Sequence, residues 1–160
     1  MAKTKAKTNA MRLLDSENIP YKIQTYEISD GLIDGVSVAK KVGEDPRNVF
    51  KTLVTQGHSG TLYVFVVPVA EELNLKKAAA TVDEKKVEMI HVKDIQKHTG
   101  YVRGGCSPIG MKKEYRTVID VSAQTIDHIV ISGGKKGMQI ICDSADLVKA
   151  AHAELADIIR

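Results

Sequence analysis

Apolar and polar positions alternate most clearly in the middle of the chain. Leu62, Val64, Val66 and Pro68 interleave with Tyr63, Phe65, Val67 and Val69. Both sets are mostly apolar, so the pattern predicts a strand over 61–69 that is covered on both faces. A partner strand is predicted over 49–55, with His58-Ser59-Gly60 as the hairpin turn between them. Lys51 stands among the apolar neighbours Val49, Phe50, Leu53 and Val54. A lysine there either runs its stem outward to solvent or reaches into a pocket. Further strands are predicted at 21–28, 87–90, 117–121, 128–132 and 138–143. In the first of these Tyr21, Ile23 and Thr25 share a face and Tyr26 points to the other.

Spacings of three and four residues predict the helices. One covers 8–18, with Thr8 or Asn9 as its cap and Ala10, Leu13, Leu14 and Glu17 along one side. A loop over 29–35 leads to a short helix over 36–42 that Gly43 ends, and Asp45-Pro46 opens a helical turn over 46–48. Another helix covers 74–80, capped by Asn74, with Leu75, Ala78 and Ala79 inward. The segment 92–98 is helical and closes at Thr99-Gly100. A final helix is expected over 145–159, capped by Ser144, with Leu147, Ala151, Leu155 and Ile158 inward. No repeat or linker interrupts the chain. The fold class is α+β, a mixed, curved, barrel-like β-sheet with flanking helices.

The 160 residues suit a single domain over 1–160, with residues 1–7 as a basic tail. That tail lacks the apolar stretch of a secretory signal, and no apolar run is long enough to cross a bilayer, so a cytoplasmic protein with no membrane partner is expected. Cys106 and Cys142 show no paired spacing of a disulfide framework. A net charge of +3 permits a nucleic-acid partner without demanding one. Aromatic residues make up only 4% and tryptophan is absent, which argues against a stacking platform for many successive bases. One nucleotide, or one RNA end, is what this composition supports.

Candidate chemistry concentrates in the stretch from Gly100 to Gly110, where four glycines and a proline fall in eleven residues beside Arg103, Lys112 and Lys113. A second cluster, Ser132-Gly133-Gly134-Lys135-Lys136-Gly137, follows. Such loops are either surface turns or a donor-rich cradle for an anion. Neither fits a P-loop or a dinucleotide fingerprint. The five histidines, His58, His91, His98, His128 and His152, form no two-ligand helix motif, and neither a metal nor a cofactor is expected. Cys106 in the first loop is either a nucleophile or a small loop residue, and it has no histidine nearby in sequence to act as its base.

Taken in order, Val49-Phe50-Lys51-Thr52-Leu53, Val67-Pro68-Val69-Ala70, Leu75-Lys76-Lys77, Lys85-Lys86-Val87-Glu88-Met89, the Gly100–Gly110 loop, Lys112-Lys113 and the second glycine cluster resemble one family. It is the bacterial Cys-tRNA(Pro) deacylases of the YbaK/EbsC type, free-standing relatives of the editing insertion of prolyl-tRNA synthetase. The resemblance runs from about Tyr21 to the end of the chain. It implies trans-editing hydrolysis of Cys-tRNA(Pro), with that tRNA as partner and prolyl-tRNA synthetase as a second. It places the family's central lysine on Lys51 and its pocket tyrosine on Tyr26. Its Gly-x-x-x-Pro loop falls on Gly104 and Pro108, and its serine-glycine turn on Ser132 and Gly133, with Gly105, Cys106, Ser107 and Gly134 beside them as further expected site residues. Lys51 and Gly104 are the catalytic expectations and the others contact substrate. Some family members carry an acidic residue where this chain has Gln139, which leaves the role of that position open.

The mechanism the resemblance implies needs no protein nucleophile. The thiol of the substrate's cysteine attacks its own carbonyl and expels the ribose hydroxyl, so the pocket supplies geometry. Backbone N–H groups around Gly104 and Gly105 would hold the oxyanion. Two other readings have the same loop composition: a nucleotide or tRNA-end binding module without turnover, and a deacylase for Ala- or Ser-tRNA.

Overall fold

The computed structural model describes residues 7–32 and 34–160. Of the basic tail expected over 1–7, only Lys7 lies within the described residues, where it pairs with Asp15. The first helix, α1 (Asn9–Ser16), begins at Thr8. The Thr8 hydroxyl accepts the Met11 N–H at 3.2 Å and donates to the Gly133 carbonyl at 2.6 Å. Ala10, Met11 and Leu14 are its buried side.

Strand β1 (Tyr21–Thr25) ends three residues earlier than its sequence pattern. Tyr26 N–H still donates to the Gly137 carbonyl, but the chain then leaves the sheet. Ile23 is exposed, and among the described residues β1 is an edge strand beside β7. Helix α2 (Gly35–Lys41) is capped by Asp34, and Gly43 ends it with a left-handed φ of 71°. The Pro46–Asn48 turn follows as expected.

The hairpin of β2 (Phe50–Gly57) and β3 (Leu62–Pro68) pairs Phe50 with Pro68 and Gln56 with Leu62. Helix α3 (Leu75–Thr81) has Asn74 as cap, and its side chain accepts from the N–H groups of Lys76 and Lys77. Ala78 and Ala79 turn inward, whereas Leu75, expected inward, is 44% exposed. After β4 (Val87–Met89) comes α4 (Val92–Thr99), which Gly100 closes in a left-handed conformation. Strand β5 (Arg116–Asp120) and a short 3-10 turn over Val121–Thr125 lead into the hairpin of β6 (His128–Ser132) and β7 (Met138–Asp143).

The last segment departs from the predicted helix over 145–159. Asp143, not Ser144, caps α5 (Ser144–Ala150), and the Ser144 hydroxyl donates to the Ala123 carbonyl. His152 has a φ of 50° and stops the helix. Residues Glu154–Ala156 then form β8, parallel to β5 with Leu155 opposite Ile119. Leu155 and Ile158 do turn inward, but as extended chain. Tertiary pairing overrides the helical spacing here.

The strands make two sheets, β1-β7-β6 and β4-β2-β3-β5-β8. They join where Val49, just before β2, bridges Val130 of β6 in parallel. The mixed α+β architecture read from the sequence is present, with that single bridge as its seam. The largest core cluster packs Phe50, Val64, Ile119, Ile131 and Ile140 against α1 and α5. A small cluster of Ala39, Val49, Val69 and Val130 lies at the seam itself, against α2. Among the described residues no helix is long and apolar enough to cross a membrane.

Candidate active site

A cavity of about 120 Å³ opens beside the seam. Strand alternation decides what reaches it. In β7, Met138, Ile140 and Cys142 join the large core, so Gln139 is turned to the other face. Ser132 sits directly opposite Gln139 across the hairpin. Lys51 arrives from β2, Tyr26 from the end of β1, and Gly104 and Cys106 from the first glycine loop. Val49 and Val69 supply an apolar wall backed by α2. That helix starts very close to the chain after β3: a Cβ on Gly35 would stand 2.4 Å from Val69 Cγ1.

Lys51 is half-buried, and the structure sets it in the cavity wall. No carboxylate lines the cavity, and none among the described residues pairs with Lys51. Cys106 is held as a thiol, because burial pushes its pKa up to about 11 and a hydrogen bond from Thr99 offsets only part of that. None of the five histidines lines the cavity. His58, His91 and His98 border a separate hollow of about 280 Å³. His128 Nε2 lies 3.0 Å from Glu44 Oε1, and His152 Nδ1 lies 2.9 Å from Glu114 Oε2. Among the described residues no three His, Cys, Asp or Glu side chains form a metal-ligand set.

The two glycine clusters divide. Tyr26, Lys51, Gly104, Cys106 and Ser132 come together at the cavity, while Gly105, Ser107, Pro108, Gly133 and Gly134 do not line it. Gly105 is a packing glycine, since a Cβ there would lie 2.7 Å from Lys135 Cα. Its N–H already donates to the Val102 carbonyl at 2.9 Å, which removes it from the oxyanion donors expected at Gly104 and Gly105. Gly133 packs on Met138 and Gly134 on Thr8. Ser107 is fully buried, and Pro108 faces another hollow, of about 140 Å³, beside Leu13 and Tyr115. The glycines of these loops thus answer mainly to close packing between loops and against α1. Gln139 was the position whose role the sequence left open. Its signal was there: a lone uncharged polar side chain in the apolar run Met138-Gln139-Ile140-Ile141-Cys142.

The size of the cavity limits its occupant. It is well below the ~300 Å³ at which ordinary small-molecule sites begin, yet holds several waters' worth of space. It can take one small aminoacyl group and leaves any nucleotide outside. Arg103, Lys135 and Lys136 are exposed on the adjoining loops and give that rim of the cavity a positive charge.

A family model described as an aminoacyl-tRNA editing domain matches residues 34–150. The chain is 43% identical over 156 residues, 98% of its length and 95% of the relative's, to the EbsC protein of Enterococcus faecalis, which bears the name of a Cys-tRNA(Pro)/Cys-tRNA(Cys) deacylase. A crystal structure described as a trans-editing enzyme for prolyl tRNA synthetase superposes with a TM-score of 0.82 at 21% identity, covering 98% of this chain and 99% of that one. A second, of a hypothetical protein, gives a TM-score of 0.86 at 18% identity, covering 95% and 99%. At such identities these two structures establish the fold alone.

Proposed function

This chain belongs to the aminoacyl-tRNA editing-domain family, and we propose that it is a deacylase that clears cysteine from mischarged Cys-tRNA(Pro). The observation that carries this reading is the 43% identity to EbsC across 98% of the chain. The cavity supports it, being sized for a small side chain. Prolyl-tRNA synthetase, the enzyme that would make the mischarged tRNA, is the natural protein partner.

The substrate is an activated ester, and in this reading its own thiol is the nucleophile. The S–H proton leaves to solvent, the thiolate sulfur bonds to the carbonyl carbon, and the C–O bond to the ribose breaks. The ribose oxygen takes up a proton, and water then opens the cyclic thioester to free cysteine. The protein holds sulfur and carbonyl at reacting distance, an entropic contribution. Lys51, a cation with no carboxylate partner, favours the thiolate and the developing oxyanion. Cys106, kept protonated by burial, is a wall and not a nucleophile.

Single-turnover deacylation of Cys-, Ser- and Ala-tRNA(Pro) tests the proposal. Cysteine should leave fastest, serine far more slowly because a hydroxyl is the weaker nucleophile, and alanine slowest. Equal rates would replace the thiol by an activated water. Binding without turnover of any of the three would make the protein a tRNA-end binding module.

A further inference from the structure

Gln139 is 7% exposed, and its Oε1 is sealed from solvent with no hydrogen-bond partner. It sits on the central strand of its sheet, beside the hairpin turn and between Gln24 and Ser132, and borders the cavity. A buried carbonyl oxygen without a donor is an interaction left unmade in the free protein, and folded chains keep few of these. The last side-chain torsion of glutamine is soft, and a half-turn exchanges the sealed Oε1 with Nε2, so the acceptor can be presented to the cavity without moving the backbone, with Nε2 taking the buried place.

From this we infer that Gln139 is the acceptor for the α-amino group of the bound aminoacyl ester, and so a substrate-binding residue; the inference rests on the deacylase reading above. Every aminoacyl-tRNA carries that amino group, and taking it out of water requires an acceptor. The cavity offers no carboxylate for it, and its one charged side chain, Lys51, is a donor only. The Ser132 hydroxyl already accepts the Gly134 N–H at 3.2 Å. The Tyr26 and Thr52 hydroxyls also line the cavity, but Gln139 carries its one side-chain carbonyl oxygen, buried without a partner, and is the acceptor assigned to the substrate's amine. Being neutral, it does so without drawing Lys51 into an ion pair. The substrate's carbonyl, an acceptor, is left to Lys51 and the loop N–H groups.

The test crosses one side chain with one substrate group. Wild type and Gln139→Met, of similar length but without an acceptor, are assayed on Cys-tRNA(Pro) and on 3-mercaptopropionyl-tRNA(Pro), which is cysteine without its α-amino group. Gln139→Met should lower kcat/KM on Cys-tRNA(Pro) by roughly 10- to 100-fold, the range for a hydrogen bond to a charged group. It should leave the mercaptopropionyl substrate unchanged and should melt no lower than wild type, since it removes an unpartnered polar group. Equal losses on both substrates, or no loss on the first, would overturn the assignment. Should the methionine variant fail to fold, Gln139→Glu decides: a carboxylate must widen the preference for the amine-bearing substrate, and an unchanged preference counts against the inference. Absence of wild-type turnover on Cys-tRNA(Pro) would instead sink the deacylase reading itself.

Discussion

Two hollows in this molecule invite comparison. The larger, about 280 Å³, is bordered by His58, His91 and His98 together with Asp94 and Glu88. By residue type it looks the more enzymatic. The smaller, about 120 Å³, offers one lysine, one amide, a thiol and the hydroxyls of Tyr26, Thr52 and Ser132. The difference lies in what is left unmet. His58, His91 and Glu88 are exposed, so water satisfies them. At the seam, Gln139 Oε1 is buried without a partner and Lys51 is half-buried without a counter-charge. Sites are better recognised by groups held away from both water and partners than by a tally of reactive residue types.

The sharpest way to break the comparison is Lys51→Ala. If the seam cavity is the site, the variant stays folded and single-turnover deacylation falls by ~100-fold or more, as for loss of one donor to a developing oxyanion. Full activity in the folded protein would take Lys51 out of the mechanism. A smaller effect is expected from Cys106→Ser, which should retain the greater part of the rate. In wild type the same thiol should resist iodoacetamide near neutral pH, with labelling rising only as pH approaches about 11. An acyl-enzyme trapped on Cys106 would refute its role as wall. The smallest effect belongs to the other hollow: His91→Ala combined with His98→Ala should leave the deacylation rate where it was. A large loss there would move the chemistry to the larger hollow.

Local signals carried much of this fold into view. Thr8, Asp45 and Asn74 cap the helices or helical turn that their spacing announced, and the 49–55 and 61–69 strands pair as a hairpin. What the pattern missed depended on distant partners. The apolar spacing after Ser144 suits a helix, but β5 offers a strand edge to Leu155, and pairing across the sheet wins. The glycine loops show the same limit in the site. Their composition pointed to a site, yet a glycine that lines the cavity and one that packs on Lys135 are indistinguishable in sequence. Gly104 and Gly105 are neighbours with different employments. Gln139 is the converse case, a residue whose meaning depends on the absence of a partner, which only three dimensions reveal.

The pairing of β1 with β7 also has a bearing on how the protein is made. Among the described residues Tyr21–Thr25 find their strand partner in 138–142, and Thr8 is tied to a carbonyl 125 residues further on. A ribosome delivers the early segment first, so β1 emerges long before its strand partner exists. The hairpin of β2 and β3 has local partners and can form in the meantime. The seam, and with it the wall that carries Ser132 and Gln139, closes only when the β6–β7 hairpin has left the exit tunnel. The pocket is therefore among the last parts of the molecule to be assembled, and a chain arrested before residue 132 has no site to misuse.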